Sequence, residues 1–231
     1  MFQFKQFSVL QERSAMKVGT DAVLLGSWAP VGKAKNILDI GTGTGLIALM
    51  LAQRNATAKV HAVEIEENAC LEASINFKKA PWSDRLKVYN DSLQHFETII
   101  KYDLIVSNPP YYQDTFKGLN SNRTLARHVD NLSFQDLLFY TSSMLHDEGT
   151  CAFIIPFSEE DYFIKLAKKN GLNICKLTRV RGRVDLPFKR SLLCFKKKFC
   201  DCEETELVIE VKRHVYTSDY IELTKSFYLK M

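Results

Sequence analysis

Short, nearly continuous apolar runs alternate along the chain with stretches whose apolar residues return at helical spacing, a pattern that predicts repeated β-α units. KNILDIG, KVHAVEI, LKVYND, YDLIVS and TCAFIIP have the apolar density of strands buried on both faces. Between them, LIALMLAQRN, EENACLEASINFKKA, SFQDLLFYTSSMLHDEG and EEDYFIKLAKKNG carry helix periodicity. The second of these helices is expected to stop at Pro81, the third at Gly149 and the fourth at Gly171. Upstream, MKVGTDAVLLGSWA predicts a short apolar helix that Thr20 or Asp21 can cap and that ends before Pro30. Downstream, NICKLTRVRGR and KRSLLCFKKKF are β-rich and joined through a loop containing Pro187, which predicts a terminal hairpin. Repeated β-α units followed by β-β mean a mostly parallel three-layer α/β sheet with a late antiparallel strand. Tyr111 to about Asp130 has little apolar periodicity and reads as a long charged loop.

Length and composition keep this picture simple. The 231 residues, 46% hydrophobic and 25% charged, suit one domain with a full core. Within it, 1–35 form an amino-terminal extension, 36–156 the core, and 157–231 a carboxyl-terminal part with the basic hairpin. The absence of a long apolar run and of a signal-like amino terminus predicts a cytoplasmic protein with no membrane partner. Six scattered cysteines in that setting predict free thiols. Cys200 and Cys202 have no companion pair at zinc-site spacing, so no metal is expected.

Charge changes the picture more. The net charge is only +4, yet between Lys176 and Lys198 nine cations stand against the single anion Asp185. In RVRGRV the arginines at 179, 181 and 183 fall on one strand face, a row that suits phosphates if it is not simply a solvated face.

The candidate chemistry begins in the run Asp39-Ile40-Gly41-Thr42-Gly43-Thr44-Gly45, placed between a predicted strand and a predicted helix. Glycines admit positive φ and a close ligand, and the helix start adds a partly positive end. Leu46 stands where a dinucleotide fingerprint would have its third glycine, so the spacing is D-x-G-x-G-x-G instead. Glu64 ends the next strand, where a carboxylate can accept from two ribose hydroxyls. Asp91 follows the third strand, where it can accept from an adenine amino group or cap the turn Asn90-Asp91-Ser92. Over about 36–156 these features resemble the class I S-adenosylmethionine-dependent methyltransferases. That resemblance implies a Rossmann-like seven-stranded sheet whose last strand is antiparallel. It also implies S-adenosylmethionine as cofactor, with Asp39, Gly41, Gly43 and Gly45 lining its methionine part, Glu64 holding the ribose and Asp91 near the adenine.

Asn108-Pro109-Pro110-Tyr111 ends the fourth strand, at the edge where open α/β sheets place their sites. A planar amine is a poor nucleophile because its lone pair is delocalised into the ring. The Asn108 side-chain carbonyl and the Pro109 backbone carbonyl can accept the two amino protons and align the nitrogen with a methyl donor. Pro110 stiffens the turn, and Tyr111 offers a ring on which an extruded base can stack. In-line transfer to a neutral nitrogen requires neither a metal nor a covalent intermediate.

This motif serves nucleic-acid adenine-N6 and protein glutamine-N5 methyltransferases alike. FKQFSVLQERSAMKVGTDAVLLGSWAP at one end and SDYIELTKSFYLKM at the other resemble the bacterial family that methylates N6 of adenine-37 in a valine tRNA, over almost the whole chain. The resemblance implies Lys17, Thr20 and Asp21 at the cofactor entrance and tRNA as partner. Arg123, Arg127, Lys189 and Arg190 are its implied RNA contacts, joined by Arg181 and Arg183 from the charge map. A ribosomal RNA base or a release-factor glutamine remains the alternative acceptor, and the second is disfavoured because about 35 residues precede Asp39 where a helical domain is expected. A scaffold that binds cofactor or RNA without catalysis is the non-enzymatic alternative, against which an intact Asn108 argues.

Overall fold

A computed structural model describes residues 1–14, 17–110 and 132–230. The chain opens with a small antiparallel hairpin, β1 (Phe2–Gln3) and β2 (Ser8–Val9), followed by α1 (Thr20–Trp28). The β-α units are β3 (Asn36–Ile40), α2 (Leu46–Arg54), β4 (Lys59–Glu64), α3 (Glu67–Lys79) and β5 (Leu86–Asn90). Then come β6 (Tyr102–Ser107), α4 (Phe134–Met144), β7 (Leu145–Pro156) and α5 (Glu160–Lys169). The chain finishes with β8 (Asn173–Arg181), β9 (Arg190–Lys196), β10 (Glu203–Val208), a hairpin of β11 (Glu210–Lys212) and β12 (Val215–Tyr216), and α6 (Ser218–Thr224).

The main sheet has the order β10-β8-β9-β7-β6-β3-β4-β5. All its pairings are parallel except those of β9, which runs against both β7 and β8. The expected class therefore holds: the seventh sheet strand in chain order is the antiparallel one. It is not the last, because β10 adds an eighth strand parallel to β8. Apolar side chains pack on both faces. One layer buries Val23, Leu24, Leu49, Phe77 and Phe227, and the other Leu137, Leu138, Phe163 and Leu166. Among the described residues no helix is long and apolar enough to cross a membrane.

Three local expectations are overturned. α1 is capped by Gly19 rather than Thr20 or Asp21, which are its first helical residues. α4 stops at Met144, because Leu145 enters the sheet opposite Tyr102 and is fully buried there. The strand then bulges before Thr150 resumes pairing with Leu104. Gly149 permits that bulge: a Cβ there would stand 2.9 Å from both Leu145 Cδ1 and the Tyr102 carbonyl.

The third correction concerns the basic row. β10 lies in register beside β8 and brings Glu203, Glu204 and Glu206 alongside the cations. Lys176 meets Glu203 at 3.5 Å, Arg179 meets Glu204 at 3.1 Å and Arg181 meets Glu206 at 2.7 Å. Arg179 also forks onto the buried Glu160 of α5, at 2.9 Å from Nε and 2.6 Å from Nη2. The face expected to offer open guanidiniums is a ladder of ion pairs.

Candidate functional site

The carboxyl-terminal ends of β3, β4, β5 and β6 open onto one cleft of about 660 Å3. The loop after β3 follows from its glycines: Gly41, Gly43 and Gly45 take φ of 67°, 58° and 87°, a region closed to most side chains. Its first turn is hooked to β4, the Val63 carbonyl accepting from the N–H of Gly41 at 2.9 Å and of Thr42 at 3.2 Å. A Cβ added at Gly41 or Gly43 would meet no atom within 4 Å, so the loop leaves a cradle over the cleft. Gly45 does other work. It caps α2, and a Cβ there would stand 2.5 Å from Phe77 Cε1, so it serves the packing of α2 against α3 and does not line the cleft.

Asp39 also departs from its expected place. It is fully buried beneath the loop and does not line the cleft. Its Oδ2 accepts from the Thr42 hydroxyl at 2.6 Å and from the Ala48 N–H at 3.1 Å, which ties strand, loop and helix together. Its Oδ1 has no hydrogen-bond partner among the described residues. Burial pushes its carboxyl up from 3.8 to about 7; the two hydrogen bonds oppose the rise and the nearby Glu64 charge adds to it.

Glu64 does line the cleft, and the backbone aims it. Its Oε2 accepts the Gly43 N–H at 2.7 Å and its Oε1 the Glu66 N–H at 2.9 Å. A carboxylate has lone pairs left after two such bonds, so it can still accept from a ligand. Asp91 faces the same cleft and takes the Ser92 N–H at 2.8 Å on Oδ1, so the turn cap occupies only one of its oxygens. Asn108, Pro109 and Pro110 form the wall opposite, at the end of β6. The Ser107 hydroxyl pins that end to β3, donating to the Ile40 carbonyl at 2.8 Å. Tyr111, Arg123 and Arg127 lie outside the described residues.

Lys17, Thr20 and Asp21 line the entrance, but two of them are already engaged. The Lys17 ammonium donates to the carbonyls of Gln11 at 2.6 Å and Ser14 at 3.1 Å, closing the strap that precedes α1. Asp21 accepts from Arg190 Nε at 2.7 Å, which links α1 to the start of β9. Arg190, expected on RNA, thus stands on the cleft itself, whereas Lys189 is exposed beside it. Arg181 and Arg183 lie away from the cleft and are paired with Glu206 and Asp185.

Several contributors escaped the motif reading. Ile65, 53% exposed, and Leu93 present apolar surface to the cleft, beside Glu64 and Asp91. An apolar residue one or two places after an acid at or just past a strand end was the available signal. Glu72 and Asn76, one turn apart on α3, are buried and reach back to the amino-terminal strap. Glu72 accepts from the N–H groups of Glu12, Arg13 and Ser14 at 2.5, 2.7 and 2.9 Å. Burial would raise its carboxyl, but these three donors and the Lys17 charge outweigh that and hold it below the ordinary glutamate value. Asn76 binds both backbone groups of Leu10 and donates to the Thr44 carbonyl at 2.8 Å, so α3 fastens the strap and the glycine loop to each other.

The family model described as "Methyltransferase small domain" matches residues 13–131. A curated protein of Flavobacterium psychrophilum, named tRNA1(Val) (adenine(37)-N6)-methyltransferase, is 50% identical over 234 residues, covering 100% of both chains. Proteins of the same name from Flavobacterium johnsoniae and Trichodesmium erythraeum are 51% and 47% identical, covering 100% and 99% of this chain and 100% and 98% of their own. In fold, the chain is similar to the crystal structure of a predicted O-methyltransferase from Agrobacterium tumefaciens. The TM-score is 0.69 at 20% identity, over 90% of this chain and 96% of that one. A methyltransferase from Pyrococcus furiosus gives 0.59 at 22% identity, over 84% and 90%.

Proposed function

The chain belongs to the tRNA1(Val) (adenine(37)-N6)-methyltransferase family, and from that premise we propose that it transfers a methyl group from S-adenosylmethionine to N6 of adenine-37 in a valine tRNA, in the cytoplasm. The observation that carries this reading is the meeting, across one cleft, of the glycine loop and Glu64 with Asn108, Pro109 and Pro110.

The residues present fit the cofactor. Gly41 and Gly43 leave open the space that a side chain would fill, and the acceptors Glu64 and Asp91 suit the hydroxyl and amino donors of a nucleoside. Ile65 and Leu93 supply apolar surface for its base. Bound there, S-adenosylmethionine supplies an electrophilic methyl carbon. Asn108 acts on the other reactant: its side-chain carbonyl, with the Pro109 carbonyl, accepts hydrogen bonds from the two N6–H groups and leaves the nitrogen lone pair free for in-line attack. The N–C bond would form as the methyl–sulfur bond breaks, the sulfur leaving as a neutral thioether, and the nitrogen would then lose one proton to solvent, so no strong base is required. Pro109 and Pro110, with φ fixed by their rings, hold the carbonyl steady.

Labelled methyl transfer into total bacterial tRNA, ribosomal RNA and release factor, followed by nucleoside analysis, tests the reading. N6-methyladenosine confined to a valine tRNA is expected, and label in release factor alone refutes it. Asn108→Ala is expected to lower kcat by about 100-fold or more, in line with removal of a transition-state hydrogen-bond partner, while cofactor affinity stays near wild type. Lost cofactor affinity with normal turnover at saturation would contradict the role given to Asn108.

A further inference from the structure

We propose that the β11–β12 hairpin, through Lys212 and Arg213 at its tip, is a docking ribbon for the phosphate backbone of the RNA substrate. The inference rests on the tRNA reading above and moves the expected RNA contact away from the arginine row of β8.

Position comes first. Because β9 runs antiparallel, its first residue Arg190 lies at the same sheet edge as the last residues of the parallel strands, opposite Pro156 of β7 and Val180 of β8. β10 ends at that edge too, with Val208 opposite Arg181. The hairpin springs directly from it: the Ile209 N–H donates to the Arg181 carbonyl at 3.0 Å and the Glu210 N–H to the Gly182 carbonyl at 2.8 Å. Its base is closed by the Thr217 N–H, which donates to the Ile209 carbonyl at 3.0 Å. The ribbon therefore rises from the edge that carries Asn108. Four strand spacings of about 4.8 Å separate β10, the strand that leads into the hairpin, from β6, the strand that leads into the target-base wall, or about 19 Å across the sheet. Several nucleotides of one folded RNA can span that gap.

Charge comes second. At this edge Arg181, Arg183 and Arg190 are bound to Glu206, Asp185 and Asp21. Among the described residues between Val180 and Tyr216 at this edge, Lys189, Lys212 and Arg213 have exposed side chains with no ion pair, as do cations elsewhere such as Lys33 and Lys59 near the opposite ends of the strands. A phosphate meeting them displaces only water and counterions, whereas one meeting Arg181 must first break a protein ion pair. Third, the ribbon faces solvent from Val211 to Val215. Val211 and Val215 are 66% and 43% exposed, and His214 at the turn takes a positive φ of 64°. Phosphate contacts of this kind position an RNA and carry no base information, which leaves selection of the base to the cleft.

The test is a Lys212→Glu/Arg213→Glu double variant of the full chain, with Lys212→Arg/Arg213→Lys beside it. tRNA binding is measured across a salt series, and steady-state methylation alongside. The glutamate variant is expected to raise Kd and KM for tRNA about tenfold or more. The slope of log K against log salt should shrink by about 1.4 to 1.8, as for two lost phosphate contacts. kcat, cofactor affinity and the melting temperature should stay at wild-type values, and the charge-preserving variant should bind as wild type does. Wild-type tRNA affinity and salt slope in the glutamate variant, with tRNA still methylated, overturn the docking ribbon alone. A wild-type enzyme that methylates no tRNA overturns the functional reading and this inference with it.

Discussion

Asp39→Asn tests whether the buried carboxylate under the glycine loop burdens the ligand-free fold. In the folded chain its carboxyl sits at about 7, against 3.8 when unfolded. The folded state therefore holds a proton that the unfolded state releases as pH rises between those values. Stability from this group is complete below about 3.8, declines as pH rises, and is fully withdrawn above about 7. At about 1.36 kcal/mol per pH unit, the total withdrawn is about 4 kcal/mol, of which about 2 to 3 kcal/mol falls between pH 5 and pH 8. Asparagine is neutral throughout and can keep an oxygen toward the Thr42 hydroxyl and the Ala48 N–H, the two partners of Asp39 Oδ2. Its amide nitrogen then takes the place of the unpartnered Oδ1. Urea unfolding at pH 5, 6, 7 and 8 reads the effect as the difference between variant and wild type, which cancels the titrating groups that do not interact with Asp39. With a slope of about 2 to 3 kcal/mol per molar urea, the midpoint of the variant should gain about 1 M on wild type between pH 5 and pH 8. A difference that stays constant with pH would refute the argument that Asp39 is uncompensated.

Three other outcomes follow from the supports of the cleft. Glu72→Gln keeps the acceptor for Glu12 and Arg13 but can turn an amide donor against the Ser14 N–H, and should cost about 1.5 to 3 kcal/mol of stability at pH 7, read by urea midpoint. Because the folded Glu72 carboxyl is held below its unfolded value, its contribution is present above about 4.5 and is lost as pH falls through the folded value, so wild type and variant should converge in acid. Gly45→Ala and Gly43→Ala both place a side chain at positive φ, which costs each about 1 kcal/mol. Gly45→Ala adds a 2.5 Å approach to Phe77 and should lower stability by about 2 to 3 kcal/mol in thermal melts, whereas Gly43→Ala, with open space at its Cβ, should lose less stability and also weaken cofactor binding in titration calorimetry.

How far the sequence could be read depended on whether each feature was local. The strands β3, β4, β6 and β7 are apolar runs because parallel strands are covered on both faces, and the glycine loop announces itself because only glycine tolerates its backbone. Membership in that loop did not separate residues that face a ligand from residues that hold the loop up. Gly41, Gly43 and Glu64 reach the cleft, while Asp39 and Gly45 in the same motif are turned into protein. The distinction depends on Phe77 and Ala48, which motif spacing does not display. The end of α4 failed for the same reason, since Leu145 continues a helical pattern but is claimed by Tyr102 across the sheet. The basic row shows the limit most plainly. A period of two correctly groups Arg179 with Arg181, yet it is silent on what lies alongside, and the in-register carboxylates of β10 turn apparent free charge into paired charge. Charge density along the chain is therefore a poor guide to where a polyanion lands. Lys212 and Arg213 stand in a segment of low net charge and drew no notice, but the fold leaves them exposed without ion pairs among the described residues, and unpaired charge at the catalytic edge is what an RNA backbone can use.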